Sequence, residues 1–135
     1  MTEPSDRGEI LDVILRYATA IDRREWSSFS SVFTDDAELD YGQVGQWVGA
    51  GAITDFMRRA HAGARHTMHR LTNHVINVDG DNAVVRSYVD ALILVEDGSG
   101  SNAIGFYDDR LRRTTDGWRI TSRTYTPVRL VAVNG

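Results

Sequence analysis

The chain has no cysteine, so it carries no disulfide, no thiolate nucleophile and no thiolate metal site. It also lacks a long run of basic residues, and its formal net charge is −4. Phosphate backbones call for a clustered positive surface, so no nucleic-acid partner is expected. No apolar stretch approaches the ~20 residues that span a bilayer, and no membrane association is expected. The opening segment, Met1 to Arg7, lacks the charged-then-apolar form of a signal peptide, which points to a cytoplasmic location. Nucleotide loops are missing too. Gly49-Ala50-Gly51 precedes a helical pattern but has neither the third glycine nor the βαβ setting of a dinucleotide loop. There is no Walker loop and no Gly-x-Ser-x-Gly elbow.

What is present suits one domain over 1–135 with a sizeable core. Ile10, Ile14, Tyr17 and Ile21 recur at helical spacing, and Asp6 with Glu9 has the spacing of an N-cap and its capping-box partner. Trp26, Phe29 and Phe33 suggest a second, short helix, and Ile53, Phe56, Met57 and Ala60 a third. Ala37 to Tyr41 and Gln46 to Val48 read as short strands around a glycine turn. Asp79-Gly80, Asp97-Gly98-Ser99-Gly100 and Asp116-Gly117 then separate four long segments, roughly 66–78, 82–96, 101–114 and 118–131. Helices followed by such a meander imply an α+β fold. The expected form is a cone-shaped barrel: a bent antiparallel sheet wrapped around the long N-terminal helix plus two short helices, enclosing an apolar pocket.

The first candidate pair is Asp22 and His69. A carboxylate at a helix C-terminus is disfavoured by the macrodipole, so Asp22 asks for another reason to be there. Alternation puts His69, Leu71, Asn73 and Val75 on one strand face. A carboxylate beside an imidazole fixes its tautomer and makes a general base near neutral pH, whereas the plain alternative is a surface Asp and a structural His. His61, His66 and His74 have no comparable context and read as surface or hydrogen-bonded structural groups. His66 with His69, or His69 with His74, would point to opposite strand faces, so no metal site is expected.

A second candidate group is Tyr41, Tyr88, Asp90 and Tyr107. Tyr88, Asp90, Leu92 and Leu94 share one face by alternation. Asp90 is either a pocket acid or a rim carboxylate paired with Arg123 or Arg86, since buried charges are usually paired. Alternation does not settle which way Arg123 points, and a solvated arginine is the simpler reading. Tyr17 reads as core packing with one hydroxyl partner. The wall of the pocket is expected to draw on Trp26, Phe56, Leu71, Asn73, Tyr88, Leu92, Tyr107 and Arg123.

Ile10 to Asp22, Trp26 to Phe33 with Asp36-Ala37, Thr67-Met68-His69 through Asn73, Val78 to Ala83 and Gly117 to Ile120 together resemble the SnoaL-like branch of the nuclear transport factor 2 superfamily. The subgroup is similar to scytalone dehydratase, bile-acid 7α-dehydratase and hexachlorocyclohexane dehydrochlorinase. That resemblance implies an Asp22–His69 dyad, an assisting Tyr41, a helix tyrosine at Tyr17, and roles for Asp90 and Arg123. It also shows departures. Leu94 stands near the place of a second pocket histidine, and no lid follows the last strand. In Asp36-Ala37-Glu38-Leu39-Asp40, Tyr41 occupies the place of the ketosteroid isomerase base.

The expected function is a cofactor-independent lyase for a small, mainly apolar cyclic or aromatic molecule. His69 is the base, Asp22 its orienter, and Tyr41, Tyr17 or Asp90 the polarising group. An isomerase or polyketide-type cyclase, an epoxide hydrolase and a ligand-binding module are the alternatives, since a fold alone does not choose among them. The long apolar last strand, Thr124 to Val133, also suggests a homodimer or homotrimer.

Overall fold

The computed structural model describes residues 4–135, with side chains from Asp6 on. The first three residues of the segment read against a signal peptide lie outside the described residues. Helix α1 (Pro4–Asp22) buries Ile10, Ile14, Tyr17 and Ile21, the stripe its periodicity calls for. A 3-10 helix (Trp26–Ser31) follows, then β1 (Phe33–Asp40), a short 3-10 turn (Gly42–Val44), β2 (Gln46–Val48) and α2 (Ala50–Ala60). Four long strands complete the chain: β3 (His66–Asp79), β4 (Asn82–Leu94), β5 (Gly100–Thr114) and β6 (Gly117–Val133). Gly80 and Gly117 turn two of the hairpins with φ of 61° and 108°, which side chains other than glycine rarely adopt.

The strands form one open sheet in the order β2-β1-β6-β5-β4-β3. The α+β class and the curved sheet over α1 stand as expected, with two corrections. The sheet is mixed, because β1 runs parallel to β6. It does not close into a barrel, because β2 and β3 remain as edges. The curvature comes from bulges at Thr72/Val75 in β3 and at Ile104/Gly105 and Arg110/Leu111 between β5 and β6. Gly105 marks one bend: a Cβ there would press into the Thr126 carbonyl oxygen and meet the Tyr125 ring at 2.9 Å. Strands β3 and β6 both contact α1, so the sheet arches over the helix and closes the core against it.

The capping-box reading of Asp6 and Glu9 is also corrected. Helix α1 already begins at Pro4, so Asp6 sits inside the first turn, and Glu9 is exposed. Asp6 is buried and takes a bidentate ion pair from Arg113 at 2.7 and 3.0 Å, plus the Trp118 indole N–H at 3.3 Å. It therefore ties the start of the chain to the β5–β6 hairpin. Among the described residues no helix is long and apolar enough to cross a membrane.

Candidate active site

Between α1, α2 and the inner face of the sheet lies a cavity of about 240 Å³. Its floor is apolar: Val89, Ala91 and Ile93 of β4, Ala103 of β5, and Met57 and Ala60 of α2. Its polar lining is made of four tyrosines, Tyr17, Tyr41, Tyr107 and Tyr125, and two histidines, His61 and His69. Phe56 and Val44 complete the wall, and Trp47 stacks on Phe56 at 3.7 Å between centroids. A larger groove of about 420 Å³ runs around the Arg86–Asp108 ion pair, and its lining is mostly polar, with Asn77, Arg110, Ser122 and Thr124. The smaller cavity is therefore the candidate site.

Asp22 and His69 meet as their context suggested. His69 Nδ1 lies 2.8 Å from Asp22 Oδ1, the His69 backbone N–H donates to Oδ2 at 2.9 Å, and the Thr67 hydroxyl donates to Oδ1 at 3.0 Å. Arg24, in the left-handed region at φ 60°, donates to the Ile21 carbonyl at 2.6 Å and to Thr67 at 2.9 Å, fixing the end of α1 against β3. Burial works to raise the Asp22 pKa. The hydrogen bonds from the His69 ring and backbone, its nearby charge and the Thr67 hydroxyl outweigh this, so the carboxyl is held below its ordinary value. The carboxylate can only accept, so His69 Nδ1 is the protonated nitrogen and Nε2 carries the lone pair. Because the Asp22 pKa is depressed on folding, its stabilising contribution is present above the ordinary carboxylate range. That contribution is lost as pH falls through the folded value.

The tyrosines form a second polar group in the lining. Tyr17 and Tyr41 hydroxyls are 2.6 Å apart, and Tyr17 also reaches Met57 Sδ at 3.7 Å. Burial raises the pKa of Tyr17, against the pull of Arg123, and raises Tyr41 and Tyr107 well above the ordinary value. All three are therefore protonated donors at neutral pH, suited to a developing oxyanion. Behind them Arg123 is fully buried, not solvated as the simpler reading had it. Its guanidinium lies 4.2 Å from the Tyr17 ring centroid and 3.9 Å from that of Tyr107, and it pairs with Asp109 at 2.7 and 2.8 Å. Burial pushes the Asp109 carboxyl up, and Arg123 opposes this.

Several expected wall residues lie elsewhere. Tyr88, Asp90 and Leu92 do share a face, but it is the outer one. Val89 and Ala91 are buried, Tyr88 is 52% exposed, and Asp90 pairs with Arg70 and Asn102 at 2.9 and 2.6 Å. Val89 to Leu94 offers apolar residues at both parities beside Asp90, so alternation could not mark the inner side. Asn73 is exposed because the β3 bulge falls on it, with φ 53°, and the face inverts there. Leu71 points inward but packs on the core, and Trp26 packs behind His61 at 6.3 Å. Tyr17, Tyr41, Phe56, Tyr107 and His69 stand in the wall itself.

Three residues escaped the sequence reading. His61 is buried and lies 5.5 Å from His69 between ring centroids, so it is a pocket histidine and not a surface one. Its signal was the four-residue spacing Ile53, Met57, His61. Tyr125 was hidden by the β5–β6 bulge, which leaves Thr121 unpaired and moves the inner face from Trp118 and Ile120 to Arg123 and Tyr125. Asp109 follows Tyr107 and precedes Leu111 by simple alternation, and all three are buried. His74 is bonded to Ser87 at 2.7 Å. Among the described residues no group of three or more His, Asp or Glu side chains is placed to hold a metal ion.

The curved α+β sheet over one long helix is the fold of the SnoaL-like branch of the nuclear transport factor 2 superfamily. The sequence profile of the SnoaL-like domain matches residues 2–124, and the chain belongs to that family. An uncharacterized Mycobacterium tuberculosis protein, Rv2910c, is 34% identical over 129 residues, covering 93% of this chain and 88% of its own length. A Novosphingobium aromaticivorans protein provisionally assigned as an aromatic ring hydroxylase has a solved structure with a TM-score of 0.89 at 31% identity, over 98% of this chain and 96% of that one. A hexachlorocyclohexane dehydrochlorinase of Novosphingobium barchaimii superposes with a TM-score of 0.87 at 18% identity, over 97% and 92% of the two chains. At that identity the likeness is one of fold.

Proposed function

We propose that the protein is a cofactor-independent lyase for a small, mainly apolar cyclic or aromatic substrate. The observation that carries this reading is His69. Its Nδ1 is tied to Asp22, and its basic Nε2 is left for an apolar cavity. In the proposed cycle Nε2 takes the proton from a carbon next to a carbonyl. The carbonyl oxygen, hydrogen-bonded by the Tyr41–Tyr17 pair, gains the electron pair as an enolate. The pair then returns to form the carbon–carbon double bond as the group on the neighbouring carbon departs. A departing hydroxyl takes the proton back from the His69 imidazolium and leaves as water, so the enzyme ends as it began. Asp22 stabilises the imidazolium in between. General acid–base steps of this kind contribute about 10²–10⁴-fold each. The dehydrochlorinase among the structural neighbours is named for an elimination, which supports the reading.

The test uses cyclic β-hydroxy and β-halo ketones deuterated at the carbon between the two functions. The expected result is loss of the label to solvent together with release of water or halide. Turnover that conserves mass and returns part of the label would replace the lyase by an isomerase or cyclase. Binding without turnover across the panel would replace it by a ligand-binding module.

A homodimer or homotrimer belongs to the same reading. The outer sheet face exposes Met68 (54%), Tyr88 (52%) and Ile104 (38%) on the neighbouring strands β3, β4 and β5, and Val128 and Leu130 of β6 are exposed as well, an apolar surface suited to a partner. Light scattering at micromolar concentration is expected to give a multiple of the 15.1 kDa chain mass. A clean monomer would remove this part.

A further inference from the structure

Nε2 of His61, a cavity residue, takes no part in the proton transfer described above. The residue follows the last turn of α2, and its Nδ1 lies 2.8 Å from the Met57 carbonyl oxygen. A carbonyl only accepts, so Nδ1 holds the hydrogen, and in the neutral ring Nε2 is a bare acceptor. Nε2 makes no hydrogen bond within the protein. Yet among the described residues the one buried side-chain polar atom that is sealed without a partner is Nη1 of Arg123. His61 Nε2 is therefore reachable, and His61 forms part of the cavity wall.

The surroundings keep this ring neutral. Burial lowers its pKa, and the Met57 carbonyl opposes that. The nearby charges of His69 and Arg24 lower it further, with Asp22 as the one opposing charge. The rings beside it are those of Trp26 and His69, and neither is bonded to its Nε2. The rest of the lining is largely apolar, and a buried acceptor there calls for a hydrogen that the ligand brings. The protonated tyrosines of the same cavity offer donors and call for an acceptor. The cavity volume, about 240 Å³, falls below the ~300–1,000 Å³ of clefts for drug-sized ligands, which limits it to one or two rings.

We propose that His61 is a specificity residue that accepts a hydrogen bond from a substrate hydroxyl, so that the site selects mono- or bicyclic hydroxy compounds. The inference rests on the reading of this cavity as the substrate site. It does not depend on elimination being the chemistry.

The test compares 2-naphthol with 2-fluoronaphthalene, close in shape but without the hydroxyl hydrogen, by competition binding at pH 7.5. The ratio of their affinities is expected to fall about tenfold from wild type to His61→Phe, the worth of one net hydrogen bond. A ratio unchanged within about twofold in a folded variant overturns the proposal. Should His61→Phe fail to fold, histidine ¹⁵N NMR of the wild-type protein decides. Nδ1 is expected protonated and Nε2 bare, with the Nε2 resonance moving on addition of 2-naphthol and not of 2-fluoronaphthalene. An Nε2–H tautomer, or equal response to both, overturns it. The two proposals fail separately. Hydroxyl selection without label loss leaves this inference standing and removes the lyase. Label loss without hydroxyl selection does the reverse.

Discussion

Asp22→Asn is expected to lower turnover by about 10³–10⁴-fold while the far-UV spectrum stays that of the folded protein. The carboxylate accepts three hydrogen bonds, from the His69 ring, the His69 backbone and Thr67. An amide has one oxygen to offer. If that oxygen stays with the backbone N–H, the NH₂ faces His69 Nδ1 and drives the ring into the opposite tautomer. Nε2 then holds a hydrogen and cannot take one from carbon. His69→Ala removes the base outright and is expected to cost at least about 10²–10⁴-fold. Turnover by either variant within a few-fold of wild type, on any substrate found in the deuterated panel, would mean that the base lies elsewhere in the cavity.

The largest effect on stability is expected at the Asp109–Arg123 pair. Both side chains are wholly buried, and the guanidinium is clamped between two tyrosine rings. Asp109→Ala strands a cation in the core, which costs on the order of 3–5 kcal/mol. The urea midpoint should fall accordingly without a change in slope. The double variant Asp109→Leu with Arg123→Met removes both charges together and is expected to recover much of that loss, because a buried ion pair competes poorly with apolar packing of similar volume. A loss below about 1 kcal/mol in Asp109→Ala would show that water reaches the pair. The double variant also removes the guanidinium charge that lowers the Tyr17 and Tyr107 pKa values, so these hydroxyls are expected to become harder to ionise.

The meander was legible because its signals are local. Three Asp-Gly turns mark β3 to β6 within a residue or two of their observed ends, apart from the stretch around Asp97, and apolar periodicity marks α1. Asp22 stood out because its place at a helix end made no sense for the helix alone. The parallel seam of β1 with β6 had no such signal, since its partners stand more than eighty residues apart: Phe33 pairs with Ile120. Wherever a bulge falls, two-residue alternation changes sides. That one effect misplaced Asn73 and left Arg123 undecided. Of the two readings of Asp90 the rim carboxylate holds, with Arg70 as its partner; the pocket-acid reading failed because Leu92 and Leu94 on its own face are as apolar as Val89, Ala91 and Ile93 on the other. His61 belongs to a helix end, where periodicity counts weakly and the eye stops at Ala60.

The parallel seam also bears on how the chain folds as it leaves the ribosome. Strand β1 emerges early, yet apart from three-residue β2 its only sheet partner is β6, at the other end of the chain. Helix α1 is likewise tied at Asp6 to Arg113 and Trp118, late in the chain. The β1–β6 seam and this tie therefore form only when nearly the whole chain has been synthesised, although α1 can pack on β3 earlier. Such long-range closure carries a large loop entropy and slow formation. Nascent chains halted before β6 should leave the β6-facing edge of β1 open and depend on holding factors, whereas arrival of β6 joins β1 and β2 to the meander in a late step.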